Sequence, residues 1–500
     1  MSQSFGRRAR VPALFTVASL LVAATSAQAI DLIAIGTLGG SSDLSGLTNT
    51  LESGVAANIL GGIGSGLTYA GGNTFIATPD RGPNAASYTN GTYVDNTTSY
   101  IARFHEVEMN LTATASGGLP YTLTPTLTAT KLLYSATPLV YGTGSFASNT
   151  VNLGNGTPAL NDSTHYYFTG RSDGFTTGSS LNPNNGRFDP EGVRVSRDGR
   201  SVFISDEYGP YVYQFNRATG ERINTYTLPT QFGISNLNGA GATEISGNTS
   251  GRVTNKGMEG LAISPDGSTL IGFMQSPLLQ DGGDGGRYNR IVTINVATGA
   301  TQQYVYDNYI STDPTGGATL NKTYNSSEIV AINDHEFLVL ERDGKGLGDG
   351  SNAVVKKVYK IGLTGATPLP QGTDGNTTVS GASGLASYAV TKTQFLDLKA
   401  ALNSFGLSND NIPAKLEGLA FGQDVVINGV TQHTLWVSND NDFISGTAGD
   451  NKFYVFAFAN SELPGFAAQE LPPVPVPAAG WLLISGVGAL AAAARRRKRV

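Results

Sequence analysis

The chain has 500 residues, no cysteine, 64 glycines and 22 prolines, and only 14% of it is charged. The absence of cysteine excludes a disulfide framework, a thiolate zinc site and a cysteine nucleophile, and a 40% hydrophobic content excludes wholesale disorder. Eight of the 32 Lys and Arg fall in residues 1–29 and 471–500, which hold no Asp or Glu; the body keeps 24 against 38, a net charge of −14, which repels a nucleic-acid backbone and suits a cation.

In chain order, Arg7, Arg8 and Arg10 precede an apolar run over 13–24 and then Ala27-Gln28-Ala29. Basic start, short apolar core and small-residue site predict a secretory signal peptide over 1–29, cleaved after Ala29. The body, 30–470, is long for one domain unless it is a repeat or a closed all-β architecture. Self-comparison supports a repeat. Glu191-Gly192-Val193-Arg194-Val195-Ser196-Arg197-Asp198-Gly199 returns without a gap as Glu259-Gly260-Leu261-Ala262-Ile263-Ser264-Pro265-Asp266-Gly267. A degenerate copy starts at Ser327-Glu328-Ile329 and a fourth at Glu417-Gly418-Leu419; Gly66-Leu67-Thr68 opens the body without the glutamate.

Each unit reads as strand, tight turn, strand, then one or two outer strands. The second strands fall at 201–205, 268–273, 336–340 and 434–438, and outer strands at 211–216 and 291–295. Asp-Gly between apolar runs marks a hairpin because glycine accepts φ > 0. Repeated units of about four strands predict an all-β fold, a β-propeller of about five to seven blades; a long β-sandwich is the competing architecture. Residues 393–402 are the one expected helix, and 154–186 and 362–384 read as loop-rich insertions.

At the far end, Pro472, Pro473, Pro475 and Pro477 lead into seventeen uncharged residues, 478–494, and then Arg495, Arg496, Arg497, Lys498 and Arg499. Seventeen residues make a helix of about 26 Å, near the lower limit for a bilayer, with the basic cluster held on the cytoplasmic side. Proline motif, apolar helix and basic cluster together resemble the PEP-CTERM sorting tails of Gram-negative bacteria, here with Val-Pro-Val-Pro in place of Pro-Glu-Pro. That resemblance implies that 471–500 is a sorting signal, a hydrophobic helix outside the domain with transient membrane contact. It also implies an exosortase-type processing enzyme and a cell-surface, matrix or secreted destination.

The repeated glutamate starts the inner strand of each unit, so in a propeller Glu191, Glu259, Glu328 and Glu417 should converge on the channel. Four carboxylates at one place repel strongly and need a cation or arginine partners. The second strands end in another polar set: Pro79-Asp80-Arg81, Asp206-Glu207, Met274-Gln275-Ser276, Glu341-Arg342-Asp343 and Asn439-Asp440-Asn441-Asp442. Oxygen ligands of this kind suit calcium or magnesium rather than zinc or copper. Two glycine-rich loops, 281–286 and 343–350, read equally as further oxygen ligands or as turns. His105, His165, His335 and His433 have no spaced partners and are expected on the surface or in loops. No Gly-x-Ser-x-Gly elbow is present.

Several segments resemble the phytase-like family, described by its esterase-like phytase activity: Arg187-Phe188-Asp189-Pro190-Glu191-Gly192, Ser205-Asp206-Glu207-Tyr208-Gly209-Pro210, Asn255-Lys256-Gly257-Met258-Glu259-Gly260, Leu340-Glu341-Arg342-Asp343, Lys415-Leu416-Glu417-Gly418 and Ser438-Asn439-Asp440-Asn441-Asp442-Phe443. The resemblance implies a propeller that hydrolyses phosphate or carboxylic esters, with calcium at one end of the channel. The candidate catalytic set is Glu191, Glu259, Glu417 and Arg342, the last equally readable as a structural partner that keeps the glutamates apart. Candidate calcium ligands are Asp206, Glu207, Glu341, Asp343, Asp440 and Asp442. Arg81, Arg187 and Lys256 lie beside these carboxylates in sequence and are candidate holders of substrate oxygens. Three readings stay open: an exported calcium-dependent phosphoesterase, a non-catalytic propeller that binds a matrix polymer, and a lactonase-type carboxylic-ester hydrolase.

Overall fold

The computed structural model describes residue 1 and residues 30–84, 97–114, 118–142, 157–171, 178–238, 241–308, 325–469 and 471–472. The expected leader and the expected apolar helix with its basic cluster fall in residues 2–29 and 473–500, which lie outside the described residues. Among those described, no helix is long and apolar enough to cross a membrane.

Hairpin after hairpin packs radially into five blades. From the channel outward, blade 1 is Gly66–Tyr69, Thr74–Thr78, Arg103–Ala113 and Tyr121–Leu132; blade 2 is Pro190–Val195, Ser201–Asp206, Tyr211–Asn216 and Arg222–Thr227. Blade 3 is Met258–Ile263, Thr269–Met274, Tyr288–Asn295 and Thr301–Asp307, with Ala389–Val390 added in parallel. Blade 4 is Asn325–Ala331, Glu336–Arg342, Lys356–Gly362 and Lys392–Asp397. Blade 5 is Leu416–Phe421, Val430–Asn439 and Asn451–Phe458, completed on its outer side by Asp31–Leu38 from the other end of the chain. That strand runs antiparallel to Asn451–Phe458, from Asp31↔Ala457 to Leu38↔Asn451, and so closes the ring.

The core is divided like the blades. Alternate residues of each strand point to opposite faces, and both faces of a blade are covered, so the inner strands read as apolar runs. In blade 3, Leu261, Ile263, Leu270 and Met274 pack toward blade 2, while Ala262, Ile271 and Phe273 pack toward blade 4. Corresponding clusters fill the joints between blades 4 and 5, 5 and 1, and 1 and 2. The glycine near the start of four of the inner strands, Gly66, Gly192, Gly260 and Gly418, has a packing reason. A Cβ on Gly192 would lie 2.5 Å from Leu261 N, and one on Gly66 2.1 Å from Glu191 O, so only glycine lets neighbouring inner strands approach.

The channel is plugged on its axis by Arg194. Its Nη1 donates to the carbonyls of Leu67 (2.6 Å) and Val193 (2.6 Å), and its Nη2 to those of Ile329 (2.7 Å) and Leu419 (3.2 Å). The Glu328 carboxylate sits 3.1 Å from Nη2 and accepts the Leu261 N–H at 2.9 Å. Blades 1, 2, 4 and 5 are thus joined through one guanidinium, and blade 3 through its counter-ion. Beyond the plug lies a cavity of about 70 Å³, lined by Thr68, Arg194, Pro265 and Phe466 and by no carboxylate. The segment after blade 5 covers it: Ala467 N–H donates to Ile332 O (2.8 Å) and Gln469 Nε2 to Val195 O (3.1 Å).

Two expectations are corrected here. The helix expected over 393–402 is half strand: Lys392–Asp397 forms the outer edge of blade 4, and the helix is Leu398–Ser404, N-capped where Asp397 accepts the Ala400 N–H at 2.9 Å. His105 is not on the surface. It is fully buried in Arg103–Ala113, with Nδ1 2.9 Å from Thr130 Oγ1, and burial lowers its pKa to about 3.

Because Arg194 serves so many partners, Arg194→Met should lower unfolding free energy by about 3–5 kcal/mol, the cost of leaving one member of a buried pair uncompensated. The double variant Arg194→Met/Glu328→Gln should recover part of it. Urea denaturation of the three proteins is the check.

Candidate functional site

The chemistry lies at the other end of the channel, where the inner strands begin. In blade 3 the pairing passes from Met258↔Met274 to Gly260↔Phe273, leaving Glu259 as an extra, unpaired residue. Similar irregularities contain Glu191, between Pro190↔Asp206 and Val193↔Ile204, and Glu417, between Leu416↔Asn439 and Leu419↔Val437. A bulge re-aims the side chain it releases. Here it brings carboxylate oxygens of Glu191, Glu259 and Glu417, from three blades, within 4.8 Å of one another, all three residues buried.

Glu328 does not join them. In blade 4 the pairing passes from Ser326↔Glu341 to Glu328↔Leu340, so the extra residue is Ser327 and Glu328 stands where the other units have glycine. A slip of one residue sends a strand side chain to the other face. It carries this carboxylate down to Arg194, so convergence holds for three glutamates and not for the fourth. Burial pushes Glu328 up to about 7, with Arg194 opposing.

Two further groups flank the trio within the same 4.8 Å criterion: Asp189, Glu191 and Glu207, and Asp80, Asp440 and Asp442. Asp80, Glu207 and the Asp440–Asp442 segment follow the second strands of blades 1, 2 and 5, so their shared rim follows from topology. Cations are threaded between them. Arg342 is paired with Glu417 and lies 3.7 Å from Glu259. Arg81 is 3.1 Å from Asp189 and 3.9 Å from Glu207, and donates to Asn255 Oδ1. Lys415 is 2.9 Å from Asp440 and also meets Asp442. Asn255 (φ 56°), Asp442 (φ 51°) and Phe443 (φ 58°) hold the left-handed backbone that glycine normally takes, which is local strain gathered at this rim.

The remaining sequence candidates stand elsewhere. Glu341 accepts from Tyr306 Oη and pairs with Lys392 at 2.5 Å; Asp343 pairs with Lys356 at 2.7 Å and accepts the Val354 and Val355 N–H groups. Asp206 accepts the N–H groups of Asp189 (3.2 Å) and Tyr208 (3.0 Å). None of these three belongs to the three carboxylate clusters found among the described residues. Arg187 stacks over the Tyr208 ring at 4.0 Å, and Lys256 pairs with Asp284 at 3.0 Å. In the first glycine-rich loop Asp281 is held by Arg290 at 2.7 Å, and in the second Asp349 accepts from Ser351. Asp80 belongs to the polar set that the sequence places on the rim and lies there, whereas Asp189 and Lys415 were not among the site candidates, though both fall in the family-like segments. The last two stand two residues before Glu191 and Glu417, a spacing that puts them on the same face of an extended segment.

Positive charge does not balance the site. Burial, then the charges of Glu259, Asp189, Glu207 and Glu417, raises Glu191 well above the usual carboxylate range. Burial and Glu417 push Glu259 up to about 8 against Arg342, and burial and Glu259 push Glu207 up to about 8. Burial pushes Asp80 up to about 7. Every donor in these groups is a carboxylate oxygen, a set that fits a hard cation.

A family described as phytase-like, with esterase-like activity of phytase, matches residues 58–443. The chain belongs to this phytase-like family. It is also 34% identical over 198 residues to an uncharacterized secreted protein of Arthroderma benhamiae, covering 34% of this chain and 37% of that protein. Among solved structures it is similar to the periplasmic gluconolactonase of Pseudomonas aeruginosa (12% identity, 84% and 94% of the two chains, TM-score 0.30). A luciferin-regenerating enzyme is similar at 11% identity, 82% and 96% coverage and TM-score 0.33.

The raised carboxylates fix a pH dependence. Protons that the unfolded chain releases near its ordinary carboxylate pKa are kept by the folded chain up to about 8, so their stabilisation is complete below about 4.5 and is lost as pH rises through about 8. With chelator present, melting temperature should fall between about pH 6.5 and 8, the fall being partly opposed in the lower half of that window, where His105 of the unfolded chain is still losing its proton. Added calcium should flatten the fall. Differential scanning calorimetry across that window is the check.

Proposed function

We propose that the acidic end of the channel is the active centre of an exported, calcium-dependent ester hydrolase of the phytase-like family, acting first on phosphate esters. The observation that carries the reading is the convergence of Glu191, Glu259 and Glu417 from three blades, with Glu191 raised by burial and like charge alone among its leading causes. A stable fold gains nothing from assembling these groups in low dielectric unless something binds them. Glu191, Glu259 and Glu417 would hold the cation, with Asp189 and Glu207 around it and Asp80, Asp440 and Asp442 as a second set. The chemistry calcium supplies when bound is neutralisation of substrate charge and a lowered pKa for a coordinated water.

The chain's own residues supply the rest. Arg81 and Lys415 stand between carboxylate groups, their side chains 11% and 31% exposed, so they are placed to hold ester oxygens at the mouth. Arg342 is only 5% exposed and separates Glu259 from Glu417, which fits a spacing role. The plug at Arg194 ties four inner strands together beneath the carboxylates, so substrate would enter from the acidic mouth.

The test is a panel of phosphate and carboxylic esters, assayed with calcium and with chelator, on the wild type and Glu259→Gln. Phosphate-ester hydrolysis should require calcium and fall at least about a hundredfold in the variant, the scale of losing one key electrostatic contact. Hydrolysis of carboxylic esters alone would move the chain to lactonase-type chemistry, and calcium binding without hydrolysis to a binding propeller. The reading also takes the leader and the tail as processing signals. Mass spectrometry of the native product should find an N-terminus at Ile30 and no residues beyond about Pro477; an intact C-terminus in the inner membrane would reject the processing.

A further inference from the structure

We propose that Ser327 is a further ligand residue of the axial centre, supplying a neutral hydroxyl oxygen to the cation or to its water from the blade that lacks a glutamate. The inference rests on the calcium reading above. Ser327 occupies in blade 4 the bulge position held by Glu259 in blade 3 and shared by Glu191 and Glu417. In blade 1 the same place, immediately before Gly66, is taken by Ser65, whose Oγ donates to Gly62 O at 3.3 Å. Ser327 is fully buried, and its Oγ has no hydrogen-bond partner. A buried hydroxyl without a partner loses its hydration for no return, and such groups in a folded protein point to an ion or water.

Its surroundings tie it to the trio. Ser326 N–H donates to Gln275 O at 3.2 Å, and the Gln275 side chain hydrogen-bonds the Glu259 carboxylate. The strands approach so closely that a Cβ on Gly260 would sit 3.1 Å from Glu328 Cα. The residue before Glu328 is therefore a neighbour, on the adjacent inner strand, of the residue before Gly260, which is Glu259. Three carboxylates and one free hydroxyl from blades 2, 3, 5 and 4 make an all-oxygen set around one axis, and oxygen donors of mixed charge are what calcium accepts.

Calcium titration calorimetry on the wild type, Ser327→Ala and Ser327→Asp tests this, with melting temperature in chelator as the second readout. Ser327→Ala should weaken calcium about tenfold, the lower end for losing a supporting contact in a metal site. Its melting temperature in chelator should be unchanged or raised, because an unpaired hydroxyl is removed. Ser327→Asp should bind calcium more tightly and melt lower in chelator. Wild-type affinity in Ser327→Ala would overturn the inference and leave the calcium reading standing, and a lowered melting temperature with that affinity would reassign the hydroxyl to an internal bond. A wild type that takes up no calcium would remove both.

Discussion

Everything at the centre of this molecule depends on one guanidinium. Five inner strands bring their carbonyl groups toward an axis too narrow for bulk water, and each unpaired carbonyl there costs free energy. Arg194 answers four of them at once, and Glu328 neutralises the charge this introduces. A buried ion pair is by itself weak evidence for stability, since desolvation offsets much of the attraction. This one draws its value from the carbonyls it satisfies and the N–H groups of Leu261 and Ile329 that its carboxylate accepts.

The acidic rim is the opposite case. Arg81, Arg342 and Lys415 leave several of its carboxylates raised, so ionising them all without a cation would set blades 2, 3 and 5 against one another. Those blades are held in the ring by apolar joints with their neighbours, where Val193, Leu261, Leu419 and the residues around them are fully buried. Each glutamate sits on a bulge at the mouth, one or two residues from that packing. The division lets a destabilising cluster persist on a stable frame, which is the usual relation between an active centre and its scaffold.

Much of the frame was legible in the sequence. Second strands at Ser201–Asp206 and Thr269–Met274 and the outer strand Tyr211–Asn216 follow from apolar runs broken by Asp-Gly and similar turns. Blade 5 was harder, because its fourth strand, Asp31–Leu38, comes from the far end of the chain and carries no repeat signal. The strand Lys392–Asp397 was hidden by polar residues that an outer strand tolerates and a helix would too. In the site, Glu191, Glu259 and Glu417 could be grouped by repeat position, and Arg342 by standing between Glu341 and Asp343 in sequence. Glu341 and Asp343 look identical to rim ligands in sequence. Their neutralisers, Lys392 and Lys356, lie 51 and 13 residues away and face them only through strand pairing.

Glu328 shows why repeat position has limits in a β protein. Its unit aligns well by composition, with a glutamate before an apolar run, yet the shift of one residue moves that glutamate from the rim to the plug. The same shift has two consequences that cannot be separated. It provides the counter-ion without which Arg194 would be a lone buried charge, and it leaves Ser327 where a fourth carboxylate would have crowded the trio. A strictly repeated Glu-Gly in blade 4 would therefore raise the repulsion at the mouth and strip the axis of its anion. The departure from the repeat is the feature that reconciles the acidic centre with the closed channel beneath it.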